Sequence, residues 1–544
     1  MFDPVFPEDV KVWADLGSGF VQIPDVDLSS PISIQRGNQG TSLVDIMATT
    51  GSASFDLDNS TDNSAGLLGL YSINNINTLP GWHPGIPIKL TVRFLAVDEP
   101  IFFGKMVSAE PQSGKYGNRK VTVNCVDWME EAATAKASGI PVQINKRSDE
   151  IFALLLEVIE RQPVATQIGI GADTYPYALD NALDGDINVM SEWQRLLDSE
   201  RGYAFVKRNG TLVYQGRHRR TNLFSLSATI TDEDIMNVDT SRGIEEVYNK
   251  AQVQSHPRRV DALATSILFS LASKPRIERN TSSNFNAPYR DPSARATRAG
   301  GLNMVTPVIT TDYTFNSLED GSGTDLTHQL DVTIPNGFGG NSADVLVFNN
   351  GPQDGFLTKL QLRGRGVYDY ETVLSEAESM ASRVKYGLRE FTLDQPYQSD
   401  PLVSEDTAHF IVAQTKHLIT QVRGVSFIGN REERLMRYAL QVDIGDRVHV
   451  EETMVGTVPV TPVDEPQAVS ALEFFVNAVT LTIVEGPMVY CTWGLVPADP
   501  FNYWILERTG FTELDFTTRL AYGSFVAGWV LDESELGSGT RVNP

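Results

Sequence analysis

Apolar and polar residues alternate in several short runs of this chain, and a period of two predicts β-strands with one buried face. Near the N-terminus, the run IKLTVRF (88–94) precedes a pair of phenylalanines, Phe102 and Phe103. The run VTVNCVDW follows and ends at Trp128. Together these runs predict three antiparallel strands in a row.

The same order returns near the C-terminus. RVHVEE (447–452) precedes Phe474 and Phe475, and MVYCTW then ends at Trp493. We therefore predict that the chain carries two similar small β-barrels or sheets, far apart in sequence. Chance likeness between two β-meanders is the alternative, because all antiparallel strands share this alternation. If the likeness is structural, a trimer presents six similar barrels, which allows a threefold part to sit on a sixfold ring.

A chain of 544 residues is too long for one hydrophobic core, so we expect several domains. The predicted fold class is mainly β with α+β elements, in which the two small barrels flank an α/β module and a β-sandwich-like domain. The predicted regions are a first barrel (1–145), an α/β module (146–240), a sandwich-like domain (241–370), a second barrel with two helices (371–500) and a C-terminal extension (501–544).

The clearest local signals lie in the α/β module. Ser148 is placed to cap a helix, and a second helix is predicted over 188–202 with Gly202 at its end. Asn209 and Gly210 separate two alternating runs, and this pair favours a type I′ hairpin turn. The two helices followed by the hairpin predict a compact α/β or α+β module.

Further along the chain, the pattern predicts helices over 371–387 and 405–421, the first ending at Gly387. Between the strands of the sandwich-like region, the basic stretch 286–301 predicts a mobile loop.

Charge narrows the class of partner. The chain has 44 basic and 69 acidic residues, a net charge of −25. Proteins that bind phosphate backbones gain affinity from Lys and Arg, so this composition argues against a nucleic-acid-binding protein. It suits a surface that must not adhere to DNA, and simple solubility is the alternative explanation.

Cysteine content and apolar runs indicate the compartment. Cys125 and Cys491 fall on corresponding strands of the two similar segments, and we interpret both as buried thiols. No signal peptide is evident, and the longest apolar run (262–273) is too short to span a bilayer. We expect synthesis and assembly in a cytoplasm.

Candidate chemistry is weak. The histidines are scattered, and no zinc, nucleophile-elbow or phosphate-loop motif occurs. One stretch has calcium-loop spacing, but Thr61 and Leu67 stand where a loop of that kind has Gly and Glu, so a solvated turn is the default. Its residues are Asp56, Asp58, Ser60 and Asp62. We predict no cofactor, no metal and no enzymatic activity.

Two further features have ordinary explanations beside functional ones. The carboxylate pairs Glu130–Glu131 and Asp184 with Asp186 suit a glycosidase in principle, but 69 acidic residues produce such pairs by chance. The basic run RHRR (217–220) is the densest positive patch, and a salt-bridged strand end is the default there.

The C-terminal extension has a small repeat of its own. The pattern W-[IV]-L…T-R-[LV] begins once at Trp504 and again at Trp529. Trp and Leu side chains in a terminal extension favour contact with a partner. The alternative is that they fold back on the core of the same chain.

Several phrases, in order, resemble the baseplate hub or minor tail proteins of long-tailed bacteriophages. They are GSASFDLDN (51–59), the segment 100–132, the segment 191–217, and ALQVDIGDRVHV (439–450) followed by 473–498. The C-terminal repeat is also similar to such proteins, whereas 241–370 matches more loosely.

The resemblance implies a trimeric structural virion protein at the tail tip. Each subunit would give two similar barrels, and the ring would stack on the sixfold distal tail ring. Implied partners are that ring, fibre or central spike proteins and the tape-measure protein. Genomic DNA would leave through a central channel whose acidic wall repels it. No appended peptidase or lysozyme signature is present.

Two other functions stay open on the sequence. A receptor- or glycan-binding tail or surface protein would use the 241–370 region, and this reading leaves the repeated segments unexplained. A glycosidase on a β-scaffold would need two carboxylates at a cleft.

Overall fold

The computed structural model describes residues 4–38, 46–112, 118–137, 140, 143–179, 187–221, 225–241, 244–339, 341–416, 421–451 and 473–498. The predicted contact residues Trp504 and Trp529, and the acidic pair Asp184 and Asp186, lie outside these ranges. The strands are β1 (Asp9–Asp15), β2 (Phe20–Ile23), β3 (Ile32–Gly37), β4 (Ser52–Asp58), β5 (Pro87–Phe94), β6 (Val97–Pro111), β7 (Lys120–Val126), β8 (Lys146–Arg147), β9 (Ala165–Ile168), β10 (Thr174–Tyr175), β11 (Tyr203–Val206), β12 (Thr211–Gln215), β13 (Leu226–Ile230), β14 (Ile235–Ser241), β15 (Lys250–Ser255), β16 (Arg258–Val260), β17 (Ser266–Ser270), β18 (Arg276–Ile277), β19 (Ser282–Pro288), β20 (Gly300–Val305), β21 (Tyr313–Asn316), β22 (Leu330–Thr333), β23 (Ser342–Asn349), β24 (Gly355–Asp369), β25 (Val373–Glu378), β26 (Glu390–Gln395), β27 (Gln421–Ile428), β28 (Arg447–Val450), β29 (Glu473–Val484) and β30 (Met488–Pro497). The helices are α1 (Met129–Thr134), α2 (Ser148–Glu157), α3 (Val189–Glu200), α4 (His218–Thr221), α5 (Met380–Tyr386), α6 (Pro401–Thr415) and α7 (Glu433–Gln441).

Thirteen strands form one large sheet that contains both of the similar segments. Its order is β14-β27-β30-β29-β3-β4-β7-β6-β5-β1-β2, with β28 and β13 attached beside β29. Over the described residues this sheet stays open, with β14 and β2 at the two ends of the main order and β13 at the end of the short branch beside β29. The fold is mainly β with α+β elements, as predicted. Of the two forms expected for the similar segments, barrels or sheets, the described residues show sheet strands and no closed barrel.

The reason lies in the pairing of β29. Its first residues pair with β28, and the rest of the same edge, from Ala478 onward, pairs with β3. The two halves therefore complete each other instead of closing separately. Gly37 is needed at this join, because its φ is +93° and an added Cβ would lie 2.3 Å from the backbone oxygen of Asn477.

The two similar segments form matching meanders, so their likeness is structural. In the first meander, β5 pairs with β6 and β6 pairs with β7, all antiparallel. The second repeats this arrangement with β28, β29 and β30. Each is extended by further antiparallel strands, β4 and β3 in one half and β27 and β14 in the other.

The phenylalanine pairs occupy equivalent positions on the long middle strands. The first Phe of each pair opposes an aliphatic residue across the ladder, and the second opposes a basic one. The pairs are Phe102 with Leu90, Phe474 with Val448, Phe103 with Lys89, and Phe475 with Arg447. Such cross-strand pairs are the unit of sheet stabilisation, so the two meanders are built from the same contacts.

One hydrophobic core lies against the large sheet and takes residues from both halves. Cys125 on β7 and Cys491 on β30 are buried in it as free thiols, which confirms that interpretation. Burial raises the pKa of both thiols well above the ordinary value, so they are unreactive packing residues.

The α/β module has its own core beside the sheet. Phe152 of α2 stacks on Trp193 of α3, with ring centroids 4.2 Å apart. The predicted helices exist, but their caps differ by one residue. Arg147 is the N-cap of α2, and its backbone N–H donates to Glu150, whereas Ser148 is already helical. Arg201 takes the left-handed conformation at the end of α3, one residue before the predicted Gly202.

The predicted hairpin is confirmed, but its turn type is not. β11 and β12 pair antiparallel around residues 207–210. Only Gly210 of the Asn209–Gly210 pair has a positive φ, whereas a type I′ turn requires both. The backbone carbonyl of Lys207 instead accepts a hydrogen bond from the Gly210 N–H, at 2.9 Å, in a longer loop.

The middle of the chain contains two sheets over a shared core. The long strand β24 pairs with β16, β17, β18, β20 and β21, and β23 pairs with β19 and β22. The basic stretch 286–301 is anchored in this unit, since Tyr289 and Asp291 are buried.

The helix predicted over 371–387 is mostly wrong, because 373–378 is strand β25, paired with β15, and only α5 is helical. The second predicted helix is α6, which begins at Pro401 and ends at Thr415. The boundaries of the five regions stay a prediction.

Candidate assembly surfaces

The calcium-loop spacing is used for local turn hydrogen bonds. Asp58 Oδ1 accepts from the Ser60 N–H at 2.8 Å, and Ser60 Oγ accepts from the Asp62 N–H at 3.1 Å. Asp56 is buried in β4 and accepts from the Thr122 hydroxyl at 2.7 Å. No group of three or more His, Cys, Asp or Glu side chains in the described ranges is placed to hold a metal ion.

The carboxylates Glu130 and Glu131 share one cation. Both pair with Lys105 Nζ, at 2.8 Å in the case of Glu131. Arg161 lies 3.5 Å from Glu131 as well. These carboxylates therefore stabilise the contact of α1 with β6.

The basic run 217–220 splits into different environments. Arg217 donates to Asp173 at 2.5 Å, which fits the default of a salt-bridged strand end. Arg219 is exposed, whereas Arg220 is buried under Tyr203 and Phe475. The run is thus no continuous positive surface.

A buried ion pair lies where three parts of the chain meet. Arg36 of β3 donates to Asp443 Oδ1 at 2.7 Å, and their side chains are 4% and 9% exposed. Asp443 also accepts from the backbone N–H of Arg208, at 3.0 Å, in the β11–β12 loop. The Arg208 guanidinium donates to the Leu440 carbonyl of α7. We call Arg36, Asp443 and Arg208 the charged joint.

Electrostatics favour an ionised carboxylate in the charged joint. Burial alone would raise the pKa of Asp443, but the charge and hydrogen bond of Arg36 outweigh it and hold that pKa below its ordinary value. The joint fixes both halves of the sheet and the hairpin of the α/β module relative to one another. Sequence reasoning missed it, because Arg36 and Asp443 are 407 positions apart and neither belongs to a motif.

The open edges of the large sheet are a second surface of interest. At one edge, β2 exposes Phe20 and Val21, and at the other β14 exposes Met236. Lys89 lies over the Phe20 ring at 5.4 Å. An edge strand presents unpaired N–H and C=O groups and is a template for pairing with another chain.

The third feature is the apolar tip of the β5–β6 hairpin. Leu95 and Ala96 have φ values of 48° and 62°, a conformation that costs energy in residues other than glycine. Glu8 holds the turn by accepting from the Ala96 N–H at 2.8 Å. Leu95 and Val97 are half exposed there, so the tip projects apolar side chains into solvent.

Comparison with known proteins gives matches among solved structures only. No protein-family model and no curated protein matches the chain. It is similar to the 43 kDa tail protein of prophage MuSo2 from Shewanella oneidensis, with 7% identity, 91% and 98% of the two chains covered, and a TM-score of 0.44. The tail protein from Neisseria meningitidis MC58 gives 10% identity, coverage of 89% and 95%, and a TM-score of 0.43.

A further similar structure is the E. coli c3393 protein, described as a type VI secretion component with structural similarity to the T4 tail proteins gp27 and gp5. It gives 8% identity, coverage of 95% and 92%, and a TM-score of 0.34. Two of the three are tail proteins by their descriptions, and the third is described as similar to tail proteins. Because every TM-score is below 0.5, the functional argument rests on this chain's own contacts. No helix within the described ranges is long and apolar enough to cross a membrane.

Proposed function

We propose that the chain is a structural protein of a phage-like tail tip, a hub of three copies that joins a sixfold tube to threefold parts. The observation that carries the proposal is the pair of matching meanders in one sheet. Three copies place six equivalent β5-β6-β7 and β28-β29-β30 units around an axis. A sixfold ring stacked on the trimer would then meet a similar surface at each of its subunits.

In the proposed trimer, the open edges of the sheet join neighbouring subunits and close the ring. In a cyclic trimer, the β2 edge of one copy adjoins the β14 edge of the next, so the unpaired backbone groups at both edges find partners. The exposed apolar side chains at these edges, Val21 and Met236, would be buried in that contact. The charged joint keeps the two halves of each copy in one orientation, which a regular ring requires.

Charge supports the passage of DNA without binding. Three copies of net charge −25 give a trimer of −75. A lumen with this sign repels a phosphate backbone and does not retain it. We assign the chain a structural and not a catalytic role, in the virion tail tip, after assembly in the host cytoplasm. Trp504 and Trp529 are the side chains we propose for contact with neighbouring tail proteins.

The mass of the purified protein in solution tests the proposal. Light scattering after size exclusion should give three times 59.9 kDa, about 180 kDa. Negative-stain electron micrographs should show closed rings with an open centre. A folded monomer of one chain mass would contradict the hub.

Two edge variants test the route to closure. Val21→Lys and Met236→Lys should each give a folded monomer, because a desolvated lysine opposes edge pairing. Val384→Lys is the matched control, since Val384 is the most exposed of these valine and methionine positions and lies on α5, outside the large sheet. If all three variants stay trimeric, subunits do not join through these edges. Specific binding of the full chain to a glycan array would favour the receptor-binding alternative.

A further inference from the structure

Arg220 is a buried cation without a counter-charge among the described residues. It lies on α4, directly after β12, and is 6% exposed. Its guanidinium carbon is 3.4 Å from the centre of the Tyr203 ring and 5.3 Å from that of Phe475 on β29. The side chain therefore fills the contact between the α/β module and the second meander.

Three donor nitrogens around this guanidinium have no hydrogen-bond acceptor among the described residues. Arg220 Nη2 donates to Asn477 Oδ1 at 3.3 Å, but Arg220 Nε and Nη1 find no partner in the described part of the chain. The same holds for Nδ2 of Asn477, whose residue is 5% exposed. Because both amide atoms of Asn477 are bonded to one carbon, its free donor lies beside the guanidinium. The donors therefore share one small region.

Buried donors and a buried charge of this kind cost folding free energy when nothing is bound to them. Arginine keeps its charge in proteins, and an unpaired buried charge or donor loses its hydration without compensation. Burial lowers the pKa of Arg220, and only the Tyr203 hydroxyl acts in the other direction. The charged joint offers the comparison within the same fold, since buried Arg36 has the carboxylate of Asp443 at 2.7 Å. Arg220 has the same burial without the anion.

We propose that Arg220 and Asn477 form a binding site for one carboxylate group. A carboxylate supplies both the negative charge and two acceptor oxygens, and the edge of the guanidinium formed by Nε and Nη2 presents two parallel N–H groups to such a pair of oxygens. A water molecule could accept from the donors but would leave the charge uncompensated. Because the site joins α4 to β29, its occupation would stabilise the contact between the α/β module and the second meander.

Formate is the probe, because it is the smallest carboxylate. The melting temperature of the full-length protein is measured in increasing sodium formate, with sodium chloride replaced to keep ionic strength constant. Wild type should gain about 1–2 °C in a saturable manner, since a ligand that binds only the folded state stabilises it. Arg219→Met, which removes the exposed neighbour on α4, should gain the same. Arg220→Met should gain nothing.

The other outcomes decide against the site. An equal gain in all three proteins would mean an adventitious ion only. No gain in wild type, with Arg220→Met as stable or more stable, would mean that Arg220 is simply an unpaired charge that an apolar residue replaces well. If Arg220→Met does not fold, Asn477→Ala replaces it in the comparison. It removes the Nδ2 donor and also the Oδ1 acceptor of Arg220 Nη2, so an unchanged formate response in that variant would overturn the proposal.

Discussion

Replacing Arg36 by methionine tests the charged joint directly. Arg36→Met keeps much of the side-chain volume but leaves the Asp443 carboxylate buried with only backbone donors, the N–H groups of Arg208 and Ile444. Removing one member of a buried ion pair costs about 3–5 kcal/mol, because the remaining charge loses its compensation. The pair is 4% and 9% exposed, so solvent screening is weak. We expect a loss of that size at neutral pH.

The pH dependence of this loss has a definite sign. The folded pKa of Asp443 is depressed, so the contribution of the pair is full above the unfolded pKa of 3.8 and is lost as pH falls through the folded pKa. The difference between wild type and Arg36→Met should therefore be largest at pH 7 and shrink below about pH 4. A pH-independent difference would mean that lost packing, and not charge, is the cause.

Urea unfolding followed by tryptophan fluorescence measures the loss. Arg437→Gln is the control, since Arg437 pairs with Glu433 on the surface of α7, next to the joint, and both side chains are about half exposed. An exposed helical pair of this kind contributes about 0.3–0.5 kcal/mol. The double variant Arg36→Met with Asp443→Leu should recover most of the stability lost by Arg36→Met alone. If Arg36→Met costs no more than the control, the joint does not hold the two halves together.

Two further predictions concern the repeated meanders and a buried acid. Phe102→Ala and Phe474→Ala should each lower the free energy of unfolding by about 3–5 kcal/mol, because both rings are buried at equivalent positions, whereas Phe20→Ala on the exposed edge should cost much less. A large loss in only one of the two buried variants, measured by the same urea assay, would contradict equivalent roles. Burial raises the pKa of Asp127 from 3.8 to about 6, so this group lowers stability by about 3 kcal/mol as pH rises through that window. Asp127→Asn should flatten the measured pH dependence between these values, and an unchanged slope would show that Asp127 does not titrate there.

Local pattern was sufficient for much of the secondary structure. The alternation in 88–94 predicted β5 correctly, and the run that begins at Arg447 predicted β28, which covers 447–450. The order of the runs predicted two equivalent meanders. The burial of Cys125 and Cys491 followed from the same alternation. Where the pattern was ambiguous, tertiary pairing decided, as in 373–378, which reads as helix but pairs as a strand with β15. Cap positions shifted by one residue through local hydrogen bonds, from the Arg147 N–H to Glu150 and from the Arg201 N–H to the Leu197 carbonyl.

The sequence by itself determined that the two similar segments become strands and that they are alike, because a period of two and a buried face are properties of a few adjacent residues. Only the tertiary structure decided that the groups share one open sheet. That outcome depends on β3 pairing with β29, and on Arg36 meeting Asp443 from the far end of the chain. The pairing of strands and the pairing of buried charges join residues hundreds of positions apart. A local period in the sequence does not indicate which distant residues will pair.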